Sequence, residues 1–188
     1  YASRHSVECL YLLCPAFKIK SRFAPLTGLL SFLGKIIKPL AWSNREAETK
    51  PVKYTSFCFN AAWQVHKLAK LTSKLKINTR IKMVVTDDDE IIDTSAALKF
   101  FEKQTNPNNE CLLFTNTPQT FDDSRIQTHP SAYPEKHVLN LSHVGIMIHP
   151  HNEYFGVNGS VTLNQTFKEF GAVNAFEEKT GVKHINRL

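Results

Sequence analysis

The chain has 188 residues, of which 42% are hydrophobic and 21% charged, and its formal net charge is +6. That length and balance exclude a disordered or fibrous chain and imply one hydrophobic core, a single domain or most of one. The basic residues are scattered, with no Arg/Lys stripe and no interleaved aromatics, so the charge points to solubility and to no nucleic-acid partner.

Tyr1 to His5 reads as the tail of a helix entered midway, with neither an initiator Met nor a leader pattern. The run Cys9-Leu-Tyr-Leu-Leu-Cys14 is apolar at every position, which suits a strand covered on both faces, and Pro15 ends it. Over residues 21–43, Leu26, Leu29, Leu30, Leu33, Ile37 and Leu40 recur at helical spacing; Pro25 suits the start of that helix and Pro39 its end. A polar connector, 43–53, leads to a second amphipathic helix over Phe59 to Leu75, with Ala62, Val65, His66, Ala69 and Leu75 facing inward. Ile77 to Thr86 is a strand that ends in acid. Thr94 to Gln104 reads as a helix capped by Thr94, with Ala97, Leu98 and Phe101 on one face and Asn106-Pro107 as its stop. Cys111 to Thr115 is a short strand and 116–136 a long polar connector with three prolines. His137 to Leu141 is a last core strand, 146–156 a loop and 161–180 a closing helix. Strand and helix in alternation predict an α/β fold, a mostly parallel sheet flanked by helices.

No apolar run approaches the length that spans a bilayer. Cys9, Cys14, Cys58 and Cys111 lack the spacing of a metal site, and free, partly buried thiols lean toward a cytoplasmic location. No cofactor and no metal are expected, and His149-Pro-His151 reads as a pair of surface loop histidines without a third ligand.

Two stretches carry chemistry. Thr86-Asp-Asp-Asp-Glu-Ile-Ile-Asp93 sets several carboxylates at one strand end, where at most one can point inward ionised. Asp89 is the favoured one, because the apolar pair behind it can anchor the turn; Asp88 is the near alternative, and a solvated acidic turn is the plain structural explanation. Asn140-Leu-Ser-His-Val-Gly145 ends a second apolar run in His143. An acid and a histidine at strand ends, in that chain order, suit an orienting carboxylate and a general base. If they form one site, a carboxylate oxygen should lie about 2.6–3.2 Å from the imidazole Nδ1, and Asp87 should face solvent.

These residues resemble the C-terminal part of an α/β-hydrolase, most similar to the bacterial carboxylesterase, monoglyceride lipase-like and serine aminopeptidase-like group. Leu10-Tyr-Leu-Leu-Cys-Pro-Ala-Phe17 resembles the strand after the family's nucleophile helix. Residues 21–57 match the position of its lid, Asp89-Glu-Ile-Ile-Asp93 its catalytic-acid segment, and Leu141-Ser-His143 with His149-Pro-His-Asn-Glu-Tyr-Phe-Gly156 its catalytic-histidine segment. The resemblance spans nearly the whole chain, 1–188, and implies a partial α/β-hydrolase fold with a helical lid insertion. It departs where no Gly-x-Ser-x-Gly and no His-Gly oxyanion loop occur. The implied protein is a carboxylic-ester hydrolase, present as a fragment, whose N-terminal half supplies the serine. Its substrate would be a small acyl or lipid-like ester, met by Leu29, Phe32, Leu33 and Trp42.

Two other readings compete with it. Met83-Val-Val-Thr-Asp87-Asp-Asp89 superficially fits a Mg²⁺-dependent phosphotransferase of haloacid-dehalogenase type, and a pseudoenzyme or binding module would keep the fold without the chemistry.

Overall fold

The computed structural model describes residues 2–45 and 56–133 together with positions 141, 143, 146 and 149. The strand expected over 137–141, the loop over 146–156 and the helix over 161–180 lie outside the described residues, apart from those single positions.

Alternation in Arg80-Ile-Lys-Met-Val-Val-Thr86 produces the central strand. Ile81, Met83 and Val85 point to one face and are buried, while Lys82 and Val84 take the other and are half-buried. This strand (β4) pairs in parallel with Cys9–Leu13 (β1) on one side and Glu110–Phe114 (β5) on the other; Ile126–His129 (β6) follows beyond β5, also parallel. The register aligns Leu12, Met83, Cys111 and Ile126 across the sheet. A helix, Thr94–Glu102 (α3), lays Ala97, Leu98, Phe100 and Phe101 on the same face, and this layer is the core. Among the described residues the arrangement is α/β, a parallel four-stranded sheet with flanking helices.

On β1, Leu10 and Leu12 pack on that core, but Tyr11 and Leu13 are exposed. The strand is therefore covered on one face among the described residues, not on both. Among the described strands it is also an edge of the sheet.

The 21–43 stretch is not one helix. A 3₁₀ turn, Ala24–Leu26, leads into a seven-residue helix, Thr27–Leu33 (α1); the chain then turns back through a second 3₁₀ segment, Lys38–Ala41, into Trp42–Asn44 (β2). The reversal turns on Gly34. A Cβ there would sit 2.6 Å from the Ala41 Cα, an approach only glycine permits. Strand β2 pairs antiparallel with Phe57–Cys58 (β3), which runs straight into Phe59–Thr72 (α2). Helix α1 meets α2 through Gly28, lying against the Trp63 ring, and through Ser31, whose hydroxyl donates to Asn60 at 3.2 Å. Of the α2 positions expected inward, Ala69 is buried and Ala62 and His66 are half-buried; Val65 is exposed, as is Leu75 three residues past the helix end. The inner face of α2 lies toward Trp63 and Ala69, and Val65 falls outside that arc.

Four further expectations are corrected. Residues 2–4 form a turn, not a helix end. Helix α3 is capped by Asp93, whose Oδ1 accepts from the Ala96 N–H at 3.3 Å; the Thr94 hydroxyl instead donates to the Thr86 carbonyl. Residues 77–79 stay out of the sheet because the Ile77 N–H is taken by the buried Gln104 side chain at 2.8 Å. Finally, β6 lies inside the stretch expected as connector. Only Ile126 of its four residues is buried, so main-chain bonds hold it, among them Cys111 N–H to the Arg125 carbonyl and Thr115 N–H to the His129 carbonyl, both 2.8 Å.

Candidate functional site

Strand β4 ends where its alternation ends. Thr86 is buried, and the three aspartates that follow turn the chain at the C-terminal edge of the parallel sheet, where open α/β sheets place their ligands. Each takes a different direction. Asp87 accepts from the exposed Gln119 side chain at 2.6 Å, pointing away from the histidine and half-buried instead of fully solvated. Asp88 accepts from the Leu141 N–H at 3.1 Å. Asp89 turns inward, with 2% of its surface exposed.

A carboxylate this buried stays ionised only if its oxygens are engaged, and those of Asp89 are. Oδ1 accepts from the N–H groups of Ile91 and Ile92, both at 2.8 Å, a tight turn of the kind a short acidic side chain makes with its own backbone. Oδ2 accepts from the His143 N–H at 2.9 Å and meets His143 Nδ1 at 2.6 Å. Burial alone would raise the Asp89 carboxyl. The hydrogen bond from His143, those from the Ile92 and Ile91 amides and the imidazole charge outweigh it and hold the group below its ordinary range. With the carboxylate ionised, the 2.6 Å contact is a hydrogen bond that the imidazole Nδ1 donates.

The anchor behind Asp89 is half of the one expected. Ile92 is buried and bridges to Ile19, whereas Ile91 points outward. The bridge clasps the loop after β1 to the loop after β4: Asp93 N–H donates to the Lys18 carbonyl at 2.9 Å, Lys20 N–H to the Ile91 carbonyl at 2.8 Å, and the Lys20 ammonium to the Asp89 carbonyl. A second set of bonds brings the histidine segment in. Thr86 Oγ1 donates to the Leu141 carbonyl at 2.6 Å, so Thr86, Asp88 and Asp89 hold residues 141 and 143 against the end of β4. Asp88, offered by the sequence only as the alternative acid, and Thr86, which the sequence did not single out, are positioning residues; a Thr-Asp-Asp-Asp run gives no sign of which member reaches Leu141, 53 residues on.

Cys14, at the end of β1, adjoins the pair. It has a φ of 43°, in the left-handed region, and its N–H donates to the Val84 carbonyl at 2.8 Å. Burial, then the charge of Asp89, push its thiol up to about 12. It is a buried, protonated thiol and not an activated nucleophile.

The four apolar residues expected to meet substrate belong to α1 and β2. Leu29 and Phe32 lie on the outer side of α1, Trp42 on β2, all three exposed, and Leu33 is half-buried. No described bond links any of them to Asp89 or His143. The Asp-x-Asp arrangement of a Mg²⁺ site needs Asp87 and Asp89 to converge, whereas here they serve Gln119 and His143; among the described residues no three potential ligands cluster. His149 is exposed. No helix among the described residues is long and apolar enough to cross a membrane.

No family model, curated protein or solved structure matches the chain.

Proposed function

We propose that Asp89 and His143 are the acid and the general base of a Ser-Asp-His triad that transfers the acyl group of a carboxylic ester to water. One observation carries the reading: a fully engaged, buried carboxylate 2.6 Å from Nδ1 of a histidine at the C-terminal edge of a parallel sheet. That is the geometry that fixes an imidazole tautomer with Nε2 as proton acceptor. Nε2 takes the proton of a serine hydroxyl as the hydroxyl attacks the ester carbonyl, then returns it to the leaving alcohol. Asp89 stabilises the imidazolium that exists between those two transfers.

The nucleophile and the oxyanion donors belong, in this reading, to a segment that precedes Tyr1 in a longer parent protein, since no Gly-x-Ser-x-Gly stands in this sequence. The fold is then the C-terminal portion of an α/β-hydrolase, with 21–57 as its lid. The outward apolar residues of α1 and Trp42 are what the acyl chain meets.

The test is hydrolysis of p-nitrophenyl butyrate. Residues 1–188 alone should give no turnover above buffer. In a parent protein carrying a serine elbow, His143→Gln should abolish activity and Asp89→Asn should lower it about ten-thousandfold, with folding intact. Turnover that survives His143→Gln overturns the reading.

A further inference from the structure

A second concavity lies between α2 and α3, formed by residues that the Asp89–His143 pair does not use. It has a volume of about 430 Å³, within the range of small-molecule sites. Its floor is apolar: Phe17 and Phe100 stack with ring centroids 4.0 Å apart, and Ala69 and Ala96 flank them. Phe17, Phe100 and Ala69 are buried beneath the rim, so the floor is part of the core and rigid.

The rim is cationic. Lys70 and Lys74 come from α2 and the turn after it, Lys99 and Lys103 from α3 and its cap, and Lys18 from the loop after β1. Each helix places one lysine in its last turns, and a second follows four residues on, just past the helix end. Lys18 is paired with Asp93 at 2.6 Å, but the other four form no ion pair among the described residues. The helix dipole accounts for lysines near the last turns. It does not account for both sets converging on one apolar floor.

Apolar floor and cationic rim together describe one ligand chemistry. We propose that the groove binds a monomeric single-chain anionic lipid, its chain along Phe17 and Phe100 and its carboxylate or phosphate head among the lysines. The lining residues extend over about two helical turns, ~11 Å, which is the scale of one medium-length chain. A concavity of this size accepts a free chain; the flat face of a bilayer cannot enter it. The inference stands independently of the reading of Asp89 and His143.

Trp63 supplies the readout, since its indole stacks on His66, a residue of the groove wall, at 5.6 Å. Dodecanoate, kept below its micelle-forming concentration, is titrated into the protein while tryptophan emission is followed; dodecanol and acetate are the chain-only and head-only controls. Dodecanoate should bind saturably, at least tenfold more tightly than dodecanol, with acetate silent. The double variant Lys70→Glu/Lys99→Glu should weaken it at least tenfold, and so should Ala96→Leu, which fills the floor. The two lysines are exposed, so the charge-reversed protein keeps its fold and decides the matter even if Ala96→Leu does not. Equal affinity for dodecanol, indifference to the charge reversal, or binding only to vesicles of anionic phospholipid overturns the proposal.

Discussion

The sheet with α3 and the helical stretch of 21–75 are both rich in apolar residues, and they bury them very differently. In the sheet, Ile81, Leu113, Ala97 and Phe101 are all 0% exposed. In the helical stretch, Phe23 is 72% exposed, Ile36 74% and Leu68 61%. The difference lies in what each element has to pack on. Strands β4 and β5 face a helix whose apolar positions fall within one arc. Helix α1 meets α2 through Gly28 and Ser31, and the leucines on its far side meet no described partner. Hydropathy is a property of the segment; burial requires a second surface.

The sharpest way to break this contrast is a matched pair of truncations. Phe101→Ala should destabilise the protein by about 3–5 kcal/mol, the cost of a cavity in a close-packed core. Phe32→Ala should change stability by less than about 0.5 kcal/mol. Denaturant midpoints measure both, and similar losses at the two sites would mean that α1 has a core of its own.

A smaller, local effect is expected at Gly34. Alanine there collides with the backbone of Ala41, so the reversal after α1 must open. A loss of about 1–3 kcal/mol is expected, as for overpacking generally. Hydrogen exchange should speed up over 27–44 and stay unchanged over β4 and α3. Uniform loss of protection would show the two regions to be one cooperative unit.

The smallest effect is electrostatic and sits at their junction. Burial would raise the Asp93 carboxyl, but Lys18, the Ser95 hydroxyl and the Ala96 amide bring it down to about 2. A folded-state value below the unfolded one, near 3.9, contributes stability that is complete above pH ~4 and is lost as pH falls toward about 2. Asp93→Asn keeps a good helix cap and removes the charge. Because Lys18 is largely exposed, it should cost under ~1 kcal/mol at pH 7, with the cost shrinking as pH falls through about 2. Thermal melts across that range check the sign. Asp89, also held below its ordinary range, adds acid lability of the same sign at the pair itself.

Much of the α/β order was present in local pattern. The alternation of β4, the arc of α3 and the acid-then-histidine order need only neighbours in the chain to be read. What failed locally also has a local cause: at Asp93 and Thr94 two capping residues stand side by side, and only the buried Thr86 carbonyl assigns Thr94 elsewhere. Strand β6 offers one buried residue in four, so neither alternation nor an apolar run marks it. Gly34 looks like any helix-ending glycine until Ala41 returns to meet it.

By itself the sequence determined the buried face of α3 and the carboxylates at the end of β4, because hydrophobic period and turn chemistry act over a few residues. Tertiary structure decided what meets. It selected Asp89 over Asp87 and Asp88 for the histidine, through amides and an imidazole 54 residues away. It also drew lysines from positions 18, 70, 74, 99 and 103, scattered when read in line, around a single apolar floor. Parallel strands need long crossovers, and those crossovers bring distant segments to a common edge or flank that no local pattern can specify.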